Sequence, residues 1–327
     1  MSDLSIVIVS WNAKEVLLDC LESIQREVHS RRDEGRIQAE TLVVDNDSWD
    51  GSVAAVRERH PWAKVIELSE NLGFCAASNV GLRLAKARHA VLLNNDTIVL
   101  PGALERCVRY LDAHPEVGAA GLQLLNPDGS KQNSIHNHPG LLTEILPKGV
   151  LETFFPRRYP SKRYNHPEPI EVEAVLGACL LVRREVWESV GLMPEDYFFF
   201  LGETDWCLQI ASAGWRLVHV PDARVIHVLG ASSKKRFPAD TRIEYYKSLN
   251  HFFRKNRGPI PALLVVILRV FKTILYLVLG IPGALVSGRS RARWLRDWKV
   301  LRWYMRGCPQ GEGLARLREA SREGGGT

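Results

Sequence analysis

Short, consecutively apolar runs alternate with amphipathic stretches along the first half of the chain. Leu4–Ser10 (LSIVIVS), Thr41–Val44 and Ala90–Leu93 are apolar at nearly every position, as strands buried on both faces of a parallel sheet are, and Lys64–Leu68 reads as a third strand in chain order. Between them, Val16, Leu17, Cys20, Leu21 and Ile24 recur at helical spacing, and further helices are expected from about Cys75 to Lys86 and from Ala103 to Ala113. The alternation predicts an α/β fold built on a mainly parallel, doubly wound sheet with right-handed crossovers. Ser30–Glu40 is polar and reads as a loop, and Asp50 or Ser52 is placed to cap the helix after the second strand. Past Val117 the pattern loosens into a strand (Gly118–Leu125), a turn (Asn126-Pro127-Asp128-Gly129) and a long loop, Lys131–His166. Strand character returns over Val172–Val182. A helix follows at Arg184–Val190, then another at Leu208–Ala213, stopped by Gly214, and two short strands at Arg216–Val220 and Arg224–Val228.

Polar and acidic residues collect where these elements end. The Ala90 run breaks at Asn94-Asn95-Asp96, which puts Asp96 at a carboxyl end, the edge where open α/β sheets bind ligands. Asp45 closes the second strand, Glu203 and Asp205 open a helix, and His227 lies at the end of the last strand. Singly, each has an ordinary structural reading: a turn former, a solvated helix start favoured by the macrodipole, a core histidine. Together they are the parts that sugar transfer from a nucleoside diphosphate needs. One group recognises the nucleoside, a divalent cation (Mg²⁺ or Mn²⁺) held by carboxylate or imidazole offsets the leaving diphosphate, and a carboxylate accepts the proton of the attacking hydroxyl.

Composition narrows the class. With 327 residues, 46% hydrophobic and 24% charged, the chain can fold one large α/β domain with an appendage. The six cysteines form no CxxC pair and read as free thiols of a reducing compartment. The N-terminus enters a strand directly, so no secretory signal is expected. Charge is uneven: of the net +6, twelve Lys/Arg against one acid between Arg254 and Arg306 contribute +11, leaving the rest mildly acidic.

That basic end is also apolar. Tyr245–Arg257 reads as an aromatic, basic helix, and Ala262–Leu279 is almost wholly apolar and close to the roughly 20 residues that span a bilayer. Arg269 and Lys272 interrupt it on one face, each costing about 2.5–3.5 kcal/mol at a bilayer centre. A helix lying in the membrane interface is therefore preferred to a span or a soluble core helix. Trp294, Trp298, Leu301 and Met305 form a stripe flanked by Arg291, Lys299, Arg302 and Arg306, a membrane-surface pattern. With no recognised nucleic-acid-binding motif beside it, the anionic partner expected for 245–306 is a membrane surface and no nucleic acid. The divisions read as 1–240 (catalytic α/β domain), 241–310 (helical membrane region) and 311–327 (flexible tail).

The motifs themselves resemble those of the inverting GT-A glycosyltransferases of family 2, in particular the rhamnosyltransferase-like branch that builds bacterial surface polysaccharides. They are SIVIVSWN (Ser5–Asn12), VVDNDSWDGS (Val43–Ser52), NLGFCAASNVG (Asn71–Gly81), LLNNDT (Leu92–Thr97), GACLLVRREVWESVG (Gly177–Gly191), FFFLGETDWCLQIASAGW (Phe198–Trp215) and IHVLGAS (Ile226–Ser232), covering about residues 4–235 in order. The resemblance implies that Ser10, Asn12, Asp45 and Asn46 line the nucleoside pocket and that Asn71, Gly73, Phe74 and Asn79 lie near the donor. It implies that Asn94, Asn95 and Gly177 border the donor, and that Asp96 is the metal ligand, with His227 assisting at the metal or diphosphate. Glu203 falls at the catalytic base, supported by Asp205. Two departures stand out: the acidic motif is Asn-Asn-Asp, and Gly202 precedes Glu203 where many relatives have a second acid. The expectation is a peripheral or monotopic enzyme at the cytoplasmic face of the cell membrane. It would move a sugar, with rhamnose one candidate, from a nucleotide-sugar donor to a hydroxyl of a lipid-linked glycan acceptor, with inversion. His136 and His138 of the Lys131–His166 segment would help form the acceptor site. A polyprenyl-phosphate sugar transferase, a non-catalytic sugar-nucleotide-binding protein and a homo-oligomeric assembly all stay open.

Overall fold

The computed structural model describes residues 2–29, 37–160, 166–228 and 237–316. Most of the loop expected at Ser30–Glu40, the Leu229–Ser232 half of the last motif and the tail beyond 316 lie outside the described residues. In chain order the elements are β1 (Leu4–Ser10), α1 (Lys14–Ile24), β2 (Ala39–Asp45), α2 (Ser52–Arg59), β3 (Lys64–Glu67), α3 (Phe74–Leu84), β4 (His89–Asn94), β5 (Thr97–Val99), α4 (Ala103–Ala113) and β6 (Val117–Leu125). They continue with β7 (Ile135–His136), α5 (Leu141–Ile145), α6 (Lys148–Phe154), β8 (Ile170–Glu171), β9 (Ala174–Val175), β10 (Cys179–Arg183), α7 (Arg184–Ser189), α8 (Gly202–Ser212) and β11 (Arg216–His227). The C-terminal helices are α9 (Pro238–Asn256), α10 (Pro259–Val286) and α11 (Gly288–Met305). The chain divides into two compact units: Met1–His138 with Phe155–Asp196 and Gly202–Ala231, and Pro139–Phe154 with Tyr197–Leu201 and Ser232–Thr327.

The first unit is a mixed sheet with helices. Strand order is β3-β2-β1-β4-β10-β6-β11-β5, with β8 also paired to β11. β3, β2, β1, β4, β6 and β11 run one way, against β10, β5 and β8. The central strands are the apolar ones: Leu4, Ile6 and Ile8 of β1 are fully buried, and so are Leu17, Cys20, Leu21 and Ile24 of α1. Only Asn95 and Asp96 separate β4 from β5, yet β5 lies four strand steps from β4 in the order. In a flat sheet those steps would measure about 19 Å, whereas the chain from Asn94 to Thr97 reaches at most about 11 Å. The sheet must therefore curl until the end of β11 stands over the end of β4.

Several expectations change in detail. Lys131–His166 is no plain loop: it contains β7, α5 and α6, and residues 139–154 belong to the second unit. The two short strands expected at Arg216–Val220 and Arg224–Val228 are one strand, β11, with an irregular register between Val220 and Arg224 where Pro221 cannot donate to the ladder. Gly51 holds the cap position of α2. Asp50 sits one residue earlier, its Oδ1 accepting the Ser52 N–H (3.0 Å) and its Oδ2 the Lys14 N–H (2.9 Å), so it ties the starts of α1 and α2 together. All six cysteines are free thiols, five of them buried.

In the second unit, α10 runs 28 residues and carries Pro282 inside it, past the expected end at Leu279. Its buried side is Ala262, Val265, Thr273 and Leu277. On the same side Arg269 pairs with Glu144 of α5, and Lys272 Nζ donates to the Glu144 carbonyl at 2.6 Å. The packing face of α11 is Val300, Trp303 and Tyr304; of the expected stripe, Trp298 and Met305 are exposed, Leu301 is half-buried, and Trp294 is half-buried with its Nε1 donating to the Leu277 carbonyl at 3.0 Å.

Helix α3 lies so close to β1 that a methyl group at Gly81 would overlap Val7 Cγ1. Gly81→Ala is expected to cost about 1–3 kcal/mol of overpacking, read as a lowered urea midpoint, and adding Val7→Ala should return part of that loss. A Gly81→Ala protein as stable as the wild type would contradict this packing.

Candidate active site

The strand registers line up one edge of the first unit. Ser10 is paired with Asp45 and Val9 with Asn94, so the carboxyl ends of β2, β1 and β4 stand side by side. Asp45 is buried; its Oδ2 accepts the Ser48 N–H at 3.0 Å, while Oδ1 is buried with no hydrogen-bond partner. Burial pushes its carboxyl above the ordinary range, against the bonds from Ser48. Asn12, in the left-handed region at φ 47°, donates its N–H to Ser48 Oγ (2.9 Å) and accepts the Trp49 N–H at Oδ1 (2.9 Å). Trp11 meets Trp49 edge-on at 5.7 Å, so the 48–49 turn is fixed beside Ser10 and Asp45.

The asparagines expected near the donor act on the protein. Asn46 donates through Nδ2 to Asn71 Oδ1 (2.9 Å) and the Gly73 carbonyl (3.3 Å), and its Oδ1 accepts the Leu72 N–H (2.8 Å). Asn71 Oδ1 also accepts the Gly73 N–H (2.9 Å), which shapes the turn leading into Phe74, the first residue of α3. Asn79 donates to the Met193 carbonyl (2.8 Å) and Glu195 (2.9 Å) and accepts the Met193 N–H (3.0 Å), holding the 193–195 segment.

The curl of the sheet brings Asp96 to His227. The imidazole Nε2 lies 3.2 Å from Asp96 Oδ1 and 3.5 Å from Asn94 Nδ2, and the Asp96 and His227 side chains are each 7% exposed. Asn95 Nδ2 donates to Ser10 Oγ (3.1 Å), joining the turn to the end of β1. Among the described residues no three His, Cys, Asp or Glu side chains converge. One carboxylate and one imidazole nonetheless suit Mg²⁺ or Mn²⁺, which are commonly held by one or two protein groups with substrate phosphates filling the rest. The sequence reading missed Gln132. This buried side chain accepts from His227 Nδ1 at Oε1 (3.0 Å) and donates through Nε2 to the His227 carbonyl (2.6 Å). It lies in an aperiodic stretch where no spacing marks it.

Glu203 opens α8 on the neighbouring stretch. Its carboxyl takes the N–H groups of Gly177 and of Glu203 itself, but burial outweighs them and raises its pKa to about 7. Gly177 is a close approach, since a Cβ there would stand 3.2 Å from Glu203 Cγ. The next residue, Ala178, accepts the Asn94 N–H at 3.0 Å, so one peptide step connects the Glu203 corner to the Asp96 turn. Asp205 is fully buried in the same helical turn. The field of Glu203, with those of Glu195, Asp205 and Asp196, adds to burial in raising the Cys75 thiol, so the starts of α3 and α8 face a common region.

An α/β sheet with a buried carboxylate (Asp45), a carboxylate–imidazole pair and a protonatable carboxyl along one carboxyl edge has the parts of a nucleotide-sugar transferase scaffold. The glycosyl transferase family 2 profile matches residues 5–191, and the chain belongs to that family. It is 32% identical over 222 residues to an N-acetylglucosaminyl-diphospho-decaprenol L-rhamnosyltransferase of Mycobacterium tuberculosis, covering 63% of this chain and 72% of the relative. It is 24% identical over 218 residues to the dTDP-rhamnosyl transferase RfbF of Shigella flexneri, covering 64% and 69% respectively. The structure is similar to a mannosyltransferase of Pyrobaculum calidifontis solved with GDP-Man and Mn²⁺, with a TM-score of 0.51, 20% identity, and coverage of 92% of this chain and 87% of that one. The GT-A fold and membership of a rhamnosyltransferase-like family 2 branch, both expected from the motifs, are thereby borne out.

The Glu203 carboxyl sits at about 7 in the folded chain against an ordinary 4.5. Its contribution to stability is therefore unfavourable, absent below about pH 4.5, growing from there to about pH 7 and constant above it. Glu203→Gln should stabilise the protein at pH 8, by at most about 3 kcal/mol and less for a partly exposed group, and hardly at pH 5. Equal denaturation shifts at both pH values would show that the carboxyl is not desolvated.

Proposed function

We propose that this glycosyltransferase is a divalent-cation-dependent, inverting enzyme. It moves a sugar, rhamnose by likeness to the two relatives above, from a nucleotide-diphosphate donor to a hydroxyl of a lipid-linked glycan in cell-surface polysaccharide synthesis. The observation that carries this is Glu203. Its carboxyl is tuned near neutrality, where a general base works best, and sits one peptide step from the turn bearing Asp96. In this reading Asp45 offers its unpartnered Oδ1 to an imino N–H of the nucleobase, between Ser10 and Asn12. Asn46, Asn71 and Gly73 keep the pocket wall in place, and Asn94 and Asn95 hold the turn. Asp96 and His227 hold the cation, which supplies positive charge against the leaving diphosphate. Glu203 takes the proton of the acceptor hydroxyl, with Asp205 supporting it from beneath. A single carboxylate used as base makes the reaction one displacement with inversion.

A donor screen with Mg²⁺ or Mn²⁺, following nucleoside diphosphate release, tests the assignment. Glu203→Gln is expected to lose about 10²–10⁴-fold in turnover with donor KM little changed, and Asp96→Ala to lose metal-stimulated turnover. A fully active Glu203→Gln would transfer the role of base to Asp205.

The same proposal places the second unit on the cytoplasmic face of the membrane. One stripe of α10 (Leu263, Leu264, Ile267, Phe271, Ile274, Val278) is 45–63% exposed, and Leu142 and Ile145 of α5 are exposed as well. Arg269 and Lys272 lie on the other side of α10 and are engaged by Glu144. The helix is long and apolar enough to cross a membrane by composition, yet its two cations are matched only along the side that packs on protein. A helix embedded lengthwise in the interface fits that division, with basic α11 suited to anionic lipid. Leu263→Ser with Phe271→Ser should cut vesicle flotation on anionic lipid at least about tenfold, since each buried side chain of this kind is worth about 1.5–3 kcal/mol. Flotation equal to that of the wild type would place the membrane contact elsewhere.

A further inference from the structure

We propose that Gln132 is a positioning residue that fixes the proton of His227 on Nδ1 and thereby leaves the Nε2 lone pair for the cation. The inference rests on reading Asp96 and His227 as the cation-holding pair. The amide orientation follows from its partners. The His227 carbonyl can only accept, so the amide nitrogen of Gln132 faces it (2.6 Å) and Oε1 faces the ring (3.0 Å from Nδ1). An amide oxygen can only accept, so Nδ1 must carry the hydrogen. With that hydrogen fixed on Nδ1, the neutral tautomer presents its Nε2 lone pair to Asp96 Oδ1, 3.2 Å away. A lone pair and a carboxylate oxygen at that distance need a cation between them, a proton or a metal ion, and a divalent ion would use the lone pair that Nδ1–H leaves free. Histidine ligands elsewhere are oriented by a second partner in the same way.

Gln132 is itself braced. Its backbone N–H donates to the Leu124 carbonyl (2.8 Å), and its own carbonyl accepts from Gln123 Nε2 (3.2 Å), which also donates to Ser134 Oγ (2.9 Å). Gln123, Gln132, Ser134 and His227 are all buried. A buried polar network so fully satisfied holds one geometry. Gln132 touches neither donor nor acceptor in this arrangement and acts through His227 alone.

The test is imidazole ¹⁵N NMR of the full-length, metal-free protein at pH 8, with the His227 signals assigned by their loss in His227→Asn. The wild type should show the Nδ1–H tautomer. Gln132→Met, which removes both bonds, should convert His227 to the Nε2–H form that donates to Asp96. The same variant should bind Mn²⁺ about 10–100-fold more weakly in the presence of a nucleoside diphosphate, measured by EPR, and Gln132→Glu should recover the Nδ1–H tautomer. A wild-type Nε2–H tautomer, or an unchanged tautomer in Gln132→Met, would overturn the proposal. The wild-type spectrum decides even where a variant fails to fold. Failure of the wild type to bind Mn²⁺ with any nucleoside diphosphate would overturn the reading of Asp96 and His227 as the cation-holding pair instead, leaving the proton placement to stand on the spectrum.

Discussion

The two residues between β4 and β5 govern the architecture of the first unit. Asn95 and Asp96 are too short a link to reach the far side of a flat sheet, so the strands between must curl to let Thr97 pair with His227. That pairing sets Asp96 beside the imidazole. The hydrogen bond from Val228 N–H to the Asp96 carbonyl (2.8 Å) continues the ladder one residue further. The antiparallel strand β10 fills the gap between β4 and β6 and brings Gly177 and Ala178 to the same edge. Chain closure, more than attraction between the charged groups, is what puts a carboxylate and a histidine together in a place where both are desolvated.

That placement works against stability. Asp45 and Glu203 both have carboxyl groups raised by burial, and Asp45 keeps an oxygen with no partner. Unpaired buried acceptors are expensive, and the surroundings offset them with hydrogen bonds between protein groups. Asn46, Asn71 and Asn79 spend their amides on turns and on the 193–195 segment, and Asn12 holds the 48–49 turn. A site that must receive charge is kept open by neighbours that are already satisfied. Polar residues of the motif thus divide into those left unpaired for a ligand and those that frame them.

That division is where the sequence stopped being informative. The strand ends Ser10, Asp45 and Asn94 could be read from apolar runs that break into polar residues, and β1 and α4 match their expected bounds, because a strand buried on both faces and a helix buried along one face each leave a clear pattern. A motif reports that an asparagine is needed, but the partner that uses it is non-local: Asn79 and Met193 are 114 residues apart. Gln132 was invisible for the same reason, lying 95 residues from His227 in a stretch without periodicity. The 139–154 helices were read as loop because α5 has only five residues and α6 seven, too few turns for a 3.6-residue period to stand out.

Helix α10 carries the argument about charge one step further. A per-residue insertion cost treats Arg269 and Lys272 as isolated ions in lipid and disfavours a span. In the second unit both are engaged by one short helix, through the Glu144 carboxylate and its carbonyl oxygen. The cost then depends on whether α5 stays with α10. A perpendicular span would have to carry α5, with the backbone groups that a five-residue helix leaves without intrahelical partners, towards the hydrocarbon. A helix lying along the interface keeps α5 and both cations on the aqueous side while its apolar stripe points down. In the proposed membrane arrangement, the position of a counter-ion on a five-residue helix favours the interfacial topology over the span.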